Sequence, residues 1–142
     1  MDQSAIFAPM GALAGVTFLV LFLIPVRRFH AVFSGRVKRD DFKFGESISV
    51  PGEVSIPNRN LMNLLELPIL FYVLCLTMYV SSKVTPIELN LAWTYVGLRA
   101  AHSLVHLTFN SVLVRLSVFG ASNVVLIMMW VLFFFGPTFG LG

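Results

Sequence analysis

The chain has 142 residues, of which 57% are hydrophobic and only 12% charged, with a mean hydropathy of +0.85. Soluble domains carry about 25% charged residues, so this balance excludes an ordinary soluble enzyme and indicates a single membrane-embedded domain. The formal net charge of +3 does not point to nucleic acid, because the basic residues lie in a loop between apolar runs and form no recognition motif.

The first apolar run, Ile6 to Val26, carries no charge. At 1.5 Å per residue its roughly 21 residues cross about 30 Å, the thickness of a bilayer core. No basic segment precedes it and no small-residue cleavage site follows, so it is read as a retained span and not a signal peptide. Gly11 and Gly15 form a GxxxG pattern, which predicts close helix packing. No breaker lies between Arg27 and Val32, and the helix is expected to run to about residue 32.

A polar stretch from Arg27 to Asn58 follows, with Arg27, Arg28, Arg36, Lys38, Arg39 and Lys43 set against Asp40, Asp41, Glu46 and Glu53. Gly45, Pro51, Gly52 and Pro57 mark its later part as irregular loop. About thirty residues is long for a connection, which suggests a lid or binding loop. A second helix is expected over 60–80, bent by Pro68 with a carbonyl freed near Leu64. A third is expected over 87–113 and a fourth over 117–135, ending at Gly136-Pro137. Trp93, Trp130, Tyr79 and Tyr95 fall where interfacial aromatics are found. The lone Cys75 has no disulfide partner and reads as an apolar packing residue.

The fold class is therefore an all-α, four-helix integral membrane bundle occupying residues 1–142 as one domain. The first loop holds six Lys or Arg and Arg59 and Arg115 border the same side, whereas the loop on the other side offers only Lys83. That asymmetry orients the basic loops toward the cytoplasm and both termini outside.

Two helices carry polar faces. In the second, Arg59, Asn63 and Glu66 are four and then three residues apart, which places them on one side. In the third, Arg99, His102, His106 and Asn110 follow at spacings of three, four and four, again on one side. The helices run antiparallel. Glu66 lies about 10 Å in from its end and His106 about 13 Å in from Arg115, so the two faces match in depth. A bundle that brings them together pairs Glu66 and Arg59 with His106, Asn110 or Arg99, satisfying groups that lipid does not. A simple helix–helix clasp accounts for one or two such residues. Several fixed cations against one glutamate suggest a site for an anionic small molecule with carboxylate or phosphate groups. No metal site is expected.

These residues also carry a resemblance. Arg59-x-x-x-Asn63-x-x-Glu66-x-Pro68 and Tyr95-x-x-x-Arg99-x-x-His102-Ser103-x-x-His106 resemble the second- and third-helix motifs of the membrane-associated proteins in eicosanoid and glutathione metabolism, the MAPEG family, in its bacterial branch. The resemblance runs from Val16 to Val131. It implies a homotrimer in the bacterial inner membrane, with glutathione as co-substrate bound between subunits near the cytoplasmic side and a lipophilic partner molecule entering from membrane lipid. Carried over by position, Arg59, Asn63 and Glu66 hold the glutathione peptide, Glu66 meeting its α-amino group, and Arg99, His102 and His106 complete the binding face. Arg115 is implied as the catalytic residue that stabilises the thiolate. An arginine from the end of the first helix is implied to join them; Arg27, Arg28 and Arg36 are all candidates, and Arg28 is counted here with the expected site residues. The chain departs from the family where Leu116 replaces a serine of some prostaglandin-forming members, where His106 replaces the usual tyrosine, and in a longer first loop.

The function implied is a glutathione-dependent membrane transferase or peroxidase acting on lipophilic electrophiles, a detoxification role. The alternative is a non-catalytic lipid-binding or scaffold protein of the same architecture. A channel or proton-linked carrier fits less well, because the chain has no internal repeat or paired broken helices.

Overall fold

The computed structural model describes residues 2–136. A short 3-10 turn, Gln3–Ile6, leads into α1 (Phe7–Phe33), followed by α2 (Gly52–Leu65), α3 (Pro68–Val80), α4 (Pro86–Leu107) and α5 (Val112–Phe135). α2 and α3 make one rod interrupted at Glu66–Leu67, so the expected four rods are present, and there is no strand among the described residues. Pro137, expected to end the last helix, lies outside the described residues.

Among the described residues three stretches are long and apolar enough to cross a membrane: Gln3–Phe33, Gly52–Val80 and Val112–Phe135. α4 has 22 residues, about 33 Å of helix, but its buried face includes Glu88, Arg99, His102, Ser103 and His106. It is held among α1, α2 and α5, where protein and not lipid meets its polar groups. Thr85 and Glu88 start it with a capping box: the Glu88 carboxylate accepts from the Thr85 amide at 3.0 Å and the Thr85 hydroxyl at 2.8 Å.

Two helix boundaries differ from expectation. Residues 52–58 are helical and not loop. Pro51 caps the start in an extended conformation and its carbonyl accepts from the Val54 amide at 2.9 Å. Val54 is buried with Ala31, Val37 and Val50 in a small second core, and that burial outweighs the one amide missing at Pro57. At the other end of the chain, α4 stops at Leu107 and α5 begins at Val112, earlier than the expected 113 and 117. Asn110 has φ 45, a left-handed conformation that asparagine tolerates. Its amide closes the turn on the Val105 carbonyl at 2.8 Å.

The main core is built from Leu13, Val20, Leu64, Phe71, Leu74 and Met78 with residues of α4 and α5. Cys75 is free and buried within it, as expected. Tyr95 is not interfacial: it is fully buried and stacks on Phe71 at 4.7 Å. Gly11 and Gly15 do not mediate packing within the chain. Both are exposed, and a Cβ added at either meets nothing within 4 Å.

The first loop, 34–51, is shorter than the sequence suggested and folds on itself. The Asp41 carboxylate accepts from the Lys38 amide at 2.8 Å and from the hydroxyls of Ser49 at 3.0 Å and Ser47 at 3.1 Å. The Lys38 amide, followed by Ser49, holds the Asp41 carboxyl below the usual aspartate range. A depressed folded value means that the stabilisation is present above about pH 4 and is lost as pH falls through the lower value. At neutral pH, Asp41→Asn is expected to speed amide exchange over residues 43–50 while leaving α1 and α2 protected. Unchanged exchange would mean that the valine core alone orders the loop.

Candidate functional site

The site begins at the break between α2 and α3. Pro68 supplies no amide, and it stands at the first position of α3. Glu66 leaves helical geometry there with φ −78 and ψ −91. A carbonyl beside the break, that of Asn63 next to Leu64, accepts a hydrogen bond from Arg99 Nη2 on α4. Arg99 is fully buried. Its guanidinium carbon lies 5.3 Å from the Phe119 ring centroid and 6.0 Å from that of Tyr95.

Above this support is a cavity of about 430 Å³, lined by Arg59, Asn63 and Glu66 from the second rod, His102 and His106 from α4, and Arg115 and Phe119 from α5, among others. Six of the eight expected site residues therefore meet there. Arg99 lies behind the wall. Arg28 is elsewhere, at the far end of α1, where its Nη2 pairs with Glu46 Oε1 at 2.9 Å. Arg36, another first-helix candidate, pairs with Glu53 and lies 3.0 Å from His30 Nδ1. Arg27 lines a separate surface cavity with His30 and Glu53.

Apart from the bond between Arg99 and the Asn63 carbonyl, the two predicted faces meet around a cavity. Among the described residues the ion pairs lie in the loop region and none involves Glu66. Glu66 and Arg59 are exposed at the cavity's open flank, whereas His102 and His106 are buried at its back. The histidine ring centroids are 5.9 Å apart, and His102 lies 5.5 Å from Phe119. Arg115 Nη1 donates to Asn110 Oδ1 at 2.8 Å and is 3.5 Å from His106 Nε2, so the turn between α4 and α5 positions the guanidinium. Nδ1 of both cavity histidines is buried without a partner among the described residues.

The helix–helix clasp is made instead by a residue the sequence reading passed over. Asn60 is fully buried. Its Oδ1 accepts from the Ser103 hydroxyl at 3.2 Å, and its amide reaches the Ser103 carbonyl at 3.5 Å. The available signal was the small Ser103 on the facing helix, which lets two backbones approach.

Arg59 and Arg115 line the cavity and Arg99 lies beneath it, with Glu66 as the only carboxylate on the lining. Such an arrangement holds an anion that also carries one positive group. No curated protein and no solved structure matches the chain. The model of the MAPEG family matches residues 6–135, a range that includes all five helices and every residue lining the cavity; the chain belongs to the MAPEG family.

Proposed function

We propose that this protein is a glutathione-dependent membrane transferase or peroxidase acting on lipophilic electrophiles. The observation that carries the reading is the charge pattern of the cavity, two lining arginines and one glutamate. Glutathione presents the complement: two carboxylates and one ammonium. Glu66 receives the ammonium, Arg59 takes a carboxylate, and Asn63, His102 and His106 orient the peptide, with Arg99 supporting Asn63 from behind. Arg115 stands beside the thiol and favours the thiolate. In conjugation, the thiolate sulfur forms a bond to the electrophilic carbon. The leaving group departs with its electron pair, and the thiol proton passes to solvent.

The open flank of the cavity, with charged Arg59 and Glu66 exposed along a membrane-type helix, needs a cover other than lipid. Neighbouring copies in a homotrimer supply it, and one of Arg27, Arg28 and Arg36 reaches the site from the neighbour. The basic loops face the cytoplasm in an inner membrane, and both termini lie outside.

The test is saturable binding of glutathione at millimolar concentration and conjugation of chlorodinitrobenzene by the purified protein; no binding sinks the reading. Glu66→Gln is expected to weaken glutathione binding by about tenfold or more with the oligomer intact on size-exclusion chromatography. Loss of the oligomer before loss of binding would identify Glu66 as an assembly contact. The bond already made between Arg115 and Asn110 favours a second reading, a non-catalytic binding or scaffold protein. That reading predicts ligand retention without turnover.

A further inference from the structure

A second cavity, of about 440 Å³, lies on the outer surface at the end of α1. Its walls are apolar, with Ile24, Pro25, Phe29 and Phe33 from the helix, while Arg28 and Arg39 supply the charge. Phe42 closes the loop side, its ring centroid 4.8 Å from the Arg28 guanidinium carbon. Glu46 pairs with Arg28, so the cavity's uncompensated charge comes from exposed Arg39.

The depth of this cavity follows from the length of α1. Its 27 residues make about 40 Å of helix, some 10 Å more than a bilayer core. The last two turns therefore stand in the headgroup layer. There Phe29 and Phe33 stack along one side at 6.3 Å, with Phe33 80% exposed, and the neighbouring loop presents Phe44 at 94% exposure. Rings displayed this way are costly in water and favoured at the boundary between headgroups and tails. The segment from Arg27 to Asn58, which contains this loop and the helix ends beside it, has six basic residues against four acidic, and anionic leaflets attract such segments.

We propose that this cavity is a binding site for an anionic phospholipid of the surrounding leaflet. Arg39 holds the phosphate, and one acyl chain lies along Ile24, Pro25, Phe29 and Phe33. The apolar floor leading down toward the bilayer core selects a tailed anion over a free one. The site is separate from the cavity lined by Arg59 and Arg115, with which it shares no lining residue.

The test uses purified full-length protein in neutral detergent micelles. Phosphatidylglycerol is expected to raise the unfolding temperature saturably, while phosphatidylcholine and inorganic phosphate do not. Arg39→Glu is expected to weaken the apparent lipid affinity by about tenfold or more. A Phe33→Trp variant gives a direct reading should Arg39→Glu fail to fold. Relative to the parent protein, its added fluorescence is quenched by tail-brominated phosphatidylglycerol at lower concentration than by tail-brominated phosphatidylcholine. Equal responses to the two lipids, or unchanged affinity in Arg39→Glu, overturn the proposal. A response to inorganic phosphate matching that to the lipid makes this a free-anion site and also overturns it. If Arg39→Glu splits the oligomer and lipid has no effect on the parent protein, the cavity is a contact between subunits and the proposal falls.

Discussion

Arg99→Ala is expected to destabilise the protein by about 3 kcal/mol or more, the sum of a part-buried carbonyl left without its donor and an unfilled space. The carbonyl is that of Asn63, whose hydrogen bond comes from Arg99, and the space is the volume of a fully buried side chain. The opposing effect is also real. Arg99 Nε and Nη1 are buried without partners among the described residues, so removing the charge relieves a desolvation cost. Arg99→Met fills the space and removes the charge but leaves the carbonyl without its donor, so it isolates the hydrogen bond from the cavity. We expect it to cost about 1–2 kcal/mol, less than Arg99→Ala, while Arg99→Lys keeps a donor but loses the contact with Phe119. Thermal inactivation half-lives in detergent measure the series. Parent-like half-lives for Arg99→Ala would remove Arg99 as the support of the helix break. In the proposed function the same variant loses glutathione affinity, because Asn63 and Glu66 are aimed by that break.

Arg115→Ala is expected to lower kcat for conjugation roughly 25-fold at pH 7 if Arg115 depresses the thiol pKa by about two units from 8.5, since the thiolate fraction then falls from most of the bound thiol to a few per cent. The loss shrinks as pH rises past the unperturbed thiol value. The KM for glutathione is expected to move far less, because the proposed function gives the holding of the peptide to Arg59 and Glu66. The pH–rate profile is the deciding measurement: a variant profile parallel to that of the parent protein would exclude a role in thiolate stabilisation. Asn110, which accepts from Arg115 at 2.8 Å, gives a gentler version. Asn110→Ala frees the guanidinium and produces a smaller loss with the same pH dependence.

The two polar faces were legible in the sequence because helical periodicity alone puts Arg59, Asn63 and Glu66 on one side and His102 and His106 on one side. Their meeting at similar depth followed from rise per residue. Arg99 shared that periodicity, yet it lies behind the cavity. Its place is set by the carbonyl that the neighbouring broken helix offers, a tertiary fact with no local signature. Asn60 escaped notice because nothing in its own helix separates a residue that packs against α4 from one that lines the cavity. The start of α2 was hidden by Pro51, Gly52 and Pro57. These usually punctuate loops, but here Pro51 caps a helix and Pro57 is buried inside it. The turn at Asn110 contains neither glycine nor proline, so its left-handed residue gave no warning. Tyr95 reads like an interfacial aromatic by position, and only its stacking on Phe71 shows it to be core.

The composition of α4 has a consequence for how the protein is made. A helix carrying Glu88, Arg99, His102 and His106 on its buried face gains little by entering lipid alone, since a single arginine near the middle of a span costs about 2.5–3.5 kcal/mol during insertion. Only four residues, 108–111, separate it from the strongly apolar α5, which packs along it. Entry of the two as a hairpin would let α5 supply the hydrophobic drive and the α1–α3 scaffold the polar partners. Weakening the apolar face of α5 is therefore expected to lower the inserted yield of α4, and with it the segment that carries the histidines.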